Sequence, residues 1–235
     1  MLQFSALRSR MRWLFLGLLV LAATAATHAE PQKHPAAVAA ALDSLYPAQA
    51  HGVRGVLALD LNRDGRQDWV VLVGLRSGAA DPSDSFSFET ERLVVFQSRP
   101  DGSLSSPLQS GDLVHDRRGW TEVQDDGGRC FTYQHYNSGS ASSHSSQRFE
   151  FCMAGRELLL THLYAGSEDS CCEDYPKEAS AEVWVRQGRL ERTDMVGDKA
   201  KKRRLRFKPL VIHFEGFAWD GYENVFPESV RSLIP

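Results

Sequence analysis

Residues 56–75, VLALDLNRDGRQDWVVLVGL, constrain the fold more than any other stretch. Two aliphatic, β-branched runs flank a short polar segment that reads Asp60-x-Asn62-x-Asp64-Gly65-x-x-Asp68. Such flanks fit strands rather than helices, so the segment is expected to be a strand–loop–strand unit. Four oxygen-bearing side chains at positions 1, 3, 5 and 9, with Gly at position 6, suit a hard cation that takes several oxygen ligands. Gly65 permits the sharp backbone turn that other residues resist, and the carbonyl of Arg66 at position 7 is a fifth ligand. Calcium is the expected occupant. The competing reading is a tight polar turn with no ion, since Asp, Asn and Gly favour turns in any case. An EF-hand is excluded, because its position 12 needs a bidentate Glu between helices and Val71 stands there.

DLNRDGRQDWVVLV resembles the calcium loop of FG-GAP or VCBS-type repeats, and a set of single-copy exported bacterial proteins carrying one such motif. The resemblance extends roughly over residues 52–165, through the Asp-Gly turn of LVVFQSRPDGSL and the aromatic hairpin CFTYQHYNSGS…QRFEF. It implies calcium held by the side chains of Asp60, Asn62, Asp64 and Asp68 and by the Arg66 carbonyl. A propeller needs several similar blades, and no internal period repeats the motif, so the likeness carries over as a local loop.

The chain opens with Arg8, Arg10 and Arg12, then an apolar stretch from Trp13 and a small-x-small site at Thr27-His28-Ala29. This pattern predicts a signal peptide over residues 1–29, and hence a periplasmic or secreted protein. Residues 30–51 then form an N-terminal lead and helix, and residues 52–235 a β domain. No later stretch is long and apolar enough to span a bilayer, so no transmembrane segment is expected in the mature chain. Cleavage removes three Arg and no acid, moving the formal charge from −3 to −6. A mildly acidic exported domain is not expected to bind nucleic acid.

In an oxidising compartment the four cysteines, Cys130, Cys152, Cys171 and Cys172, read as disulfide candidates. A hairpin centred on Ala141 sets Cys130 opposite Cys152, Phe131 opposite Phe151 and Tyr133 opposite Phe149, with the aromatics on one face. The alternative ties Cys130 or Cys152 to the Cys171-Cys172 pair, which avoids leaving a strained vicinal bridge. Sequence leaves both pairings open.

Pro35 opens an Ala-rich helix that Pro47 ends, with Leu42, Leu45 and Tyr46 on one stripe. Gly74–Glu89 reads as a polar loop, in which Asp81 and Asp84 stand near the metal motif in sequence. Asn137–Ser146 is Ser-rich and reads as a mobile linker around His144. Ser167–Ala179 reads as an acidic loop, and Leu210–Phe214 as a strand before an aromatic loop containing Phe217, Trp219 and Tyr222. Lys201, Lys202, Arg203, Arg204 and Arg206 belong to one basic run. It suits either an anion-binding patch or an edge strand guarded by charge. Short strands separated by Gly and Asp turns predict a mainly β protein, an antiparallel sandwich or strongly curved sheet with one short N-terminal helix.

These features imply a non-catalytic calcium-binding protein whose partner is a glycan, an envelope polymer or a protein. No catalytic residues are assigned. The alternative is a metal-dependent hydrolase acting on an envelope or extracellular polymer.

Overall fold

The run after the polar loop becomes the middle of a sheet covered on both sides. In the computed structural model the described residues are 35–46, 51–76, 90–114, 119–140, 143–169, 177–196, 199–218 and 225–235. The expected signal peptide lies outside them, as do Asp81, Asp84, Cys171, Cys172, Trp219 and Tyr222.

The first sheet holds β1 (His51–Leu59), β2 (Asp68–Leu75), β3 (Thr90–Phe96), β4 (Leu108–Gln109) and β5 (Leu113–Val114). Its antiparallel order is β1-β2-β3-β4, with β5 also on β3. Val70, Val71, Leu72 and Val73 are all fully buried. Val71 and Val73 face the helix α1 (Ala36–Leu45), whereas Val70 and Leu72 face the second sheet. Coverage on both faces is why this strand reads as a continuous apolar run rather than an alternation.

Helix α1 presents Val38 and Leu42, one turn apart, to that sheet, and Tyr46 continues the stripe. Burying an aliphatic side chain of this size contributes roughly 1.5–3 kcal/mol. Pro35 caps the start through its carbonyl, which accepts the amides of Val38 and Ala39. Tyr46 is already extended, as expected of a residue before proline, and its hydroxyl donates to Gln109 Oε1 at 2.7 Å.

The second sheet contains β6 (Gly119–Asp125), β7 (Cys130–Ser140), β8 (Ser143–Ala154), β9 (Glu157–Asp169), β10 (Lys177–Trp184), β11 (Arg189–Val196) and β12 (Lys199–Arg206). They form an antiparallel meander in chain order. Phe131, Tyr133, Phe149 and Phe151 turn inward and meet Leu72, Leu93 and Val95 of the first sheet in one core. The architecture is therefore an antiparallel β-sandwich with a helix on the outside of the smaller sheet, as the strand pattern predicts.

The β7–β8 register places Cys130 opposite Cys152, Phe131 opposite Phe151 and Tyr133 opposite Phe149. Cys130 and Cys152 form a disulfide, which decides between the two pairings.

Three expectations are corrected. The Ser-rich segment is not a linker: β7 continues to Ser140 and β8 begins at Ser143, leaving residues 141 and 142 between them. The acidic segment is not wholly loop, since β9 runs to Asp169, β10 starts at Lys177, and Glu168 pairs with Glu178. Leu210–Phe214 is not a strand; its one ladder contact is His213 with Leu159, after which Phe214–Gly216 turns as a 3-10 helix. Beyond it, Phe217 is buried against Phe149 and Phe151, and the short helix α2 (Glu228–Arg231) adds Val230 to the same core.

Candidate functional site

The polar loop joins β1 to β2 as a turn built on its own carboxylates. Asp60 Oδ1 accepts the amide of Asp64 at 3.0 Å, and Asp60 Oδ2 accepts that of Gly65 at 2.9 Å. Asn62 Oδ1 also accepts the Asp64 amide, at 3.0 Å, and Asp64 Oδ1 accepts the Arg66 amide at 2.9 Å. Two residues take left-handed backbone, Gly65 at φ 80° and Arg63 at φ 58°. The first is free for glycine, whereas the second costs a non-glycine residue about 1–2 kcal/mol. Leu61, in the second position of the loop, is fully buried in the inter-sheet core and anchors the turn from below.

Asp68 differs from the other three. It has no exposed surface. Its Oδ2 accepts the Leu61 amide at 3.1 Å and its Oδ1 the Ser98 amide at 2.9 Å. Burial raises its carboxyl above the ordinary value, the two amides oppose that shift, and the nearby charges of Asp64 and Asp60 add to it. Asp64 is exposed to solvent. Desolvation raises its carboxyl, but the Arg66 amide, the Asn62 amide group and the Arg66 guanidinium together outweigh it and hold the group low. The guanidinium lies 2.6 Å from Asp64 Oδ2 and also donates to the Ser98 carbonyl at 3.3 Å.

The donor set is all oxygen, which fits a hard cation. Each oxygen of Asp60, and Oδ1 of Asn62 and Asp64, accepts from backbone amides while a carbonyl-type oxygen carries two lone pairs. Two features stand against a finished cage. Arg66 supplies a cation to Asp64 from within the chain, and Asp68 is engaged by two amides. Among the described residues, three His, Cys, Asp or Glu ligand atoms lie within 4.8 Å of one another only at Cys130, Glu150 and Cys152. There the sulfurs are bonded to each other and are not thiolates, while Glu150 takes the Thr161 hydroxyl.

The basic run forms β12, the edge of the larger sheet, as the charge-guard reading expects. Alternation along the strand divides the five candidates: Lys201 and Arg203 share one face, and Lys202, Arg204 and Arg206 the other. Arg203 pairs with Asp194 at 2.6 Å and Arg204 with Glu191 at 3.2 Å. The run is thus partly neutralised by β11 and does not converge on one anion.

A buried acid was not singled out in the sequence. Glu91 shares the inward face of β3 with Leu93 and Val95 and is fully buried. It accepts the Thr121 hydroxyl at 3.0 Å, and Arg54 lies 3.7 Å away from a bulge in β1. The signal was present: an acid two residues before Leu93 and four before Val95, on the same face of the strand.

No family model, no curated protein and no solved structure matches this chain. Among the described residues, no helix is long and apolar enough to cross a membrane.

Proposed function

We propose that this is an exported, non-catalytic binding protein in which calcium structures the 60–68 loop. The carrying observation is the preformed turn. Asp60, Asn62 and Asp64 are already drawn into one Gly65-centred bend by backbone amides, so a cation entering there meets oxygens whose ordering cost has been met in folding. Calcium would be held by Asp60, Asn62, Asp64 and the Arg66 carbonyl. Asp68 acts beneath them, fixing the loop to the first sheet through Leu61 and Ser98. The ion supplies positive charge that relieves the repulsion among Asp60, Asp64 and Asp68, and performs no chemistry on a substrate. Export is supported by the N-terminal sequence pattern and fits the Cys130–Cys152 disulfide.

Thermal unfolding in calcium and in chelator, beside an Asp64→Ala variant, tests the reading. An ion binding only the folded state adds about 2.7 kcal/mol at a hundredfold excess over its dissociation constant. For a chain of this size that corresponds to a rise of roughly 5–11 °C. The rise is expected in the wild type and not in the variant. Equal melting in calcium and chelator would leave the loop as a polar turn and remove the proposal.

A further inference from the structure

The outer face of the larger sheet carries a feature that no sequence motif announces. Strand register aligns Tyr136, Ser146, Gly166, Ser180 and Thr193 in one row across β7 to β11. From Ser146 onward every member is small, so the row forms the floor of a depression of about 250 Å³. Gly166 leaves room for the Tyr164 ring, whose hydroxyl lies 2.7 Å from where a Cβ would stand and would have to shift for a larger residue. Tyr164 is also the boundary with a second depression of about 130 Å³, lined by Thr132, Arg148, Glu150 and His162. Tyr164 divides the two, so the first depression is a trough of its own that runs across β7 to β11 along the small-residue row. Crossing five strands, the row spans four inter-strand spacings, roughly 19 Å.

One end is aromatic. Tyr136 and His144 line the trough, stacked with centroids 5.9 Å apart, and Trp120 stacks behind Tyr136 at 5.8 Å without lining it. Trp120 remains 43 % exposed, which is unusual for the largest apolar side chain. The Arg148 guanidinium lies 4.8 Å from the centre of the Tyr164 ring and stiffens the boundary between the two depressions. The floor offers hydroxyls, and Glu168 and Glu178, in the same cross-strand row as His144, offer acceptors along one side.

We propose that this trough binds a linear, uncharged polysaccharide. Pyranose rings present an apolar face that packs on aromatic side chains and a rim of hydroxyls that needs donors and acceptors, and the trough supplies both. Its length matches an extended chain rather than a compact metabolite. Its charge selects against the other linear polymers: Glu168 and Glu178 are among its lining residues, and no Lys or Arg is. Nucleic acids, uronates and sulfated glycans would be repelled. The inference rests on the reading of the protein as a binder and names where it binds and what.

Isothermal titration of the purified protein with cellohexaose and chitohexaose, in calcium and in chelator, tests it, with hexagalacturonate as the anionic comparison. At least one neutral hexaose is expected to bind, and hexagalacturonate to bind at least tenfold more weakly. Tyr136→Ala is expected to weaken binding roughly tenfold by removing an aromatic ring that lines the trough. Ser180→Leu, which fills the floor without touching the core, is expected to abolish it. Failure of both neutral hexaoses to bind, tighter binding of hexagalacturonate, or indifference to both substitutions overturns the proposal. Chromatography of the ligand after incubation separates the two readings. Binding with cleavage upholds the trough but ends the non-catalytic reading, whereas binding unchanged in chelator upholds the trough and leaves calcium to the melting experiment.

Discussion

Asp68 Oδ1 accepts the backbone amide of Ser98 at 2.9 Å, tying the start of β2 to the second residue beyond the end of β3. The other oxygen of the same carboxylate holds the Leu61 amide, so one buried anion fixes both ends of the loop. Asp68→Asn keeps the shape and removes one acceptor, setting an NH2 against an amide N–H. A buried donor left without an acceptor costs about 1–3 kcal/mol. Chemical denaturation should show a loss of that size, with an unchanged dependence on denaturant. An undiminished stability would mean that the two amides find other acceptors.

The Arg66 guanidinium occupies Asp64 Oδ2 and so competes with any external cation. Arg66→Gln removes the competitor and keeps the carbonyl that position 7 contributes. Two unit charges about 4 Å apart in water interact by about 1 kcal/mol, which is roughly a fivefold change in affinity. Calcium titration should therefore give tighter binding in this variant than in the wild type. Weaker binding would show that the guanidinium orients Asp64 for the ion instead of blocking it.

The disulfide closes a sequence separation of 22 residues within a hairpin. Loop-closure entropy assigns such a crosslink roughly 3 kcal/mol. A Cys130→Ser, Cys152→Ser double variant is expected to melt roughly 6–12 °C lower while keeping the far-ultraviolet signature of the sheet. An unchanged melting temperature would mean that the flanking aromatic pairs alone hold the register.

Periodicity made the hairpin legible. With aromatics at 131, 133, 149 and 151, one register satisfies both the core and the cysteines, and the sandwich carries it unchanged. The metal-type loop was legible as a turn for the same reason, because its side chains bond locally. Asn137–Ser146 was misread because Ser, Asn and Gly favour loops on their own. Pairing with β6 and β9 overrides that preference for most of the segment, since strand preference is largely set by neighbours. Phe217 was legible only as a member of an aromatic loop, because an aromatic in an irregular segment carries no periodicity to show that it turns inward. The trough was not legible at all. Ser146, Gly166, Ser180 and Thr193 are far apart in the chain and meet only through the combined register of four strands.

His162, which lines the depression beside the trough, couples stability to pH. It lies 5.2 Å from the Trp184 ring, 3.8 Å from Glu182, and near Glu150 across the ladder. Burial lowers its pKa below 6.5, Glu150 and Glu182 pull the other way, Arg148 adds to the lowering, and Asp126 opposes it. The folded protein thus favours the neutral ring. As pH falls through about 6.5 the unfolded chain takes up the proton first, so stability declines until the folded histidine also titrates, and then levels. Melting temperatures between about pH 7.5 and pH 5 should fall more steeply in the wild type than in His162→Gln. Parallel profiles would show that the acids facing the ring cancel its burial, and that another group sets the acid limb.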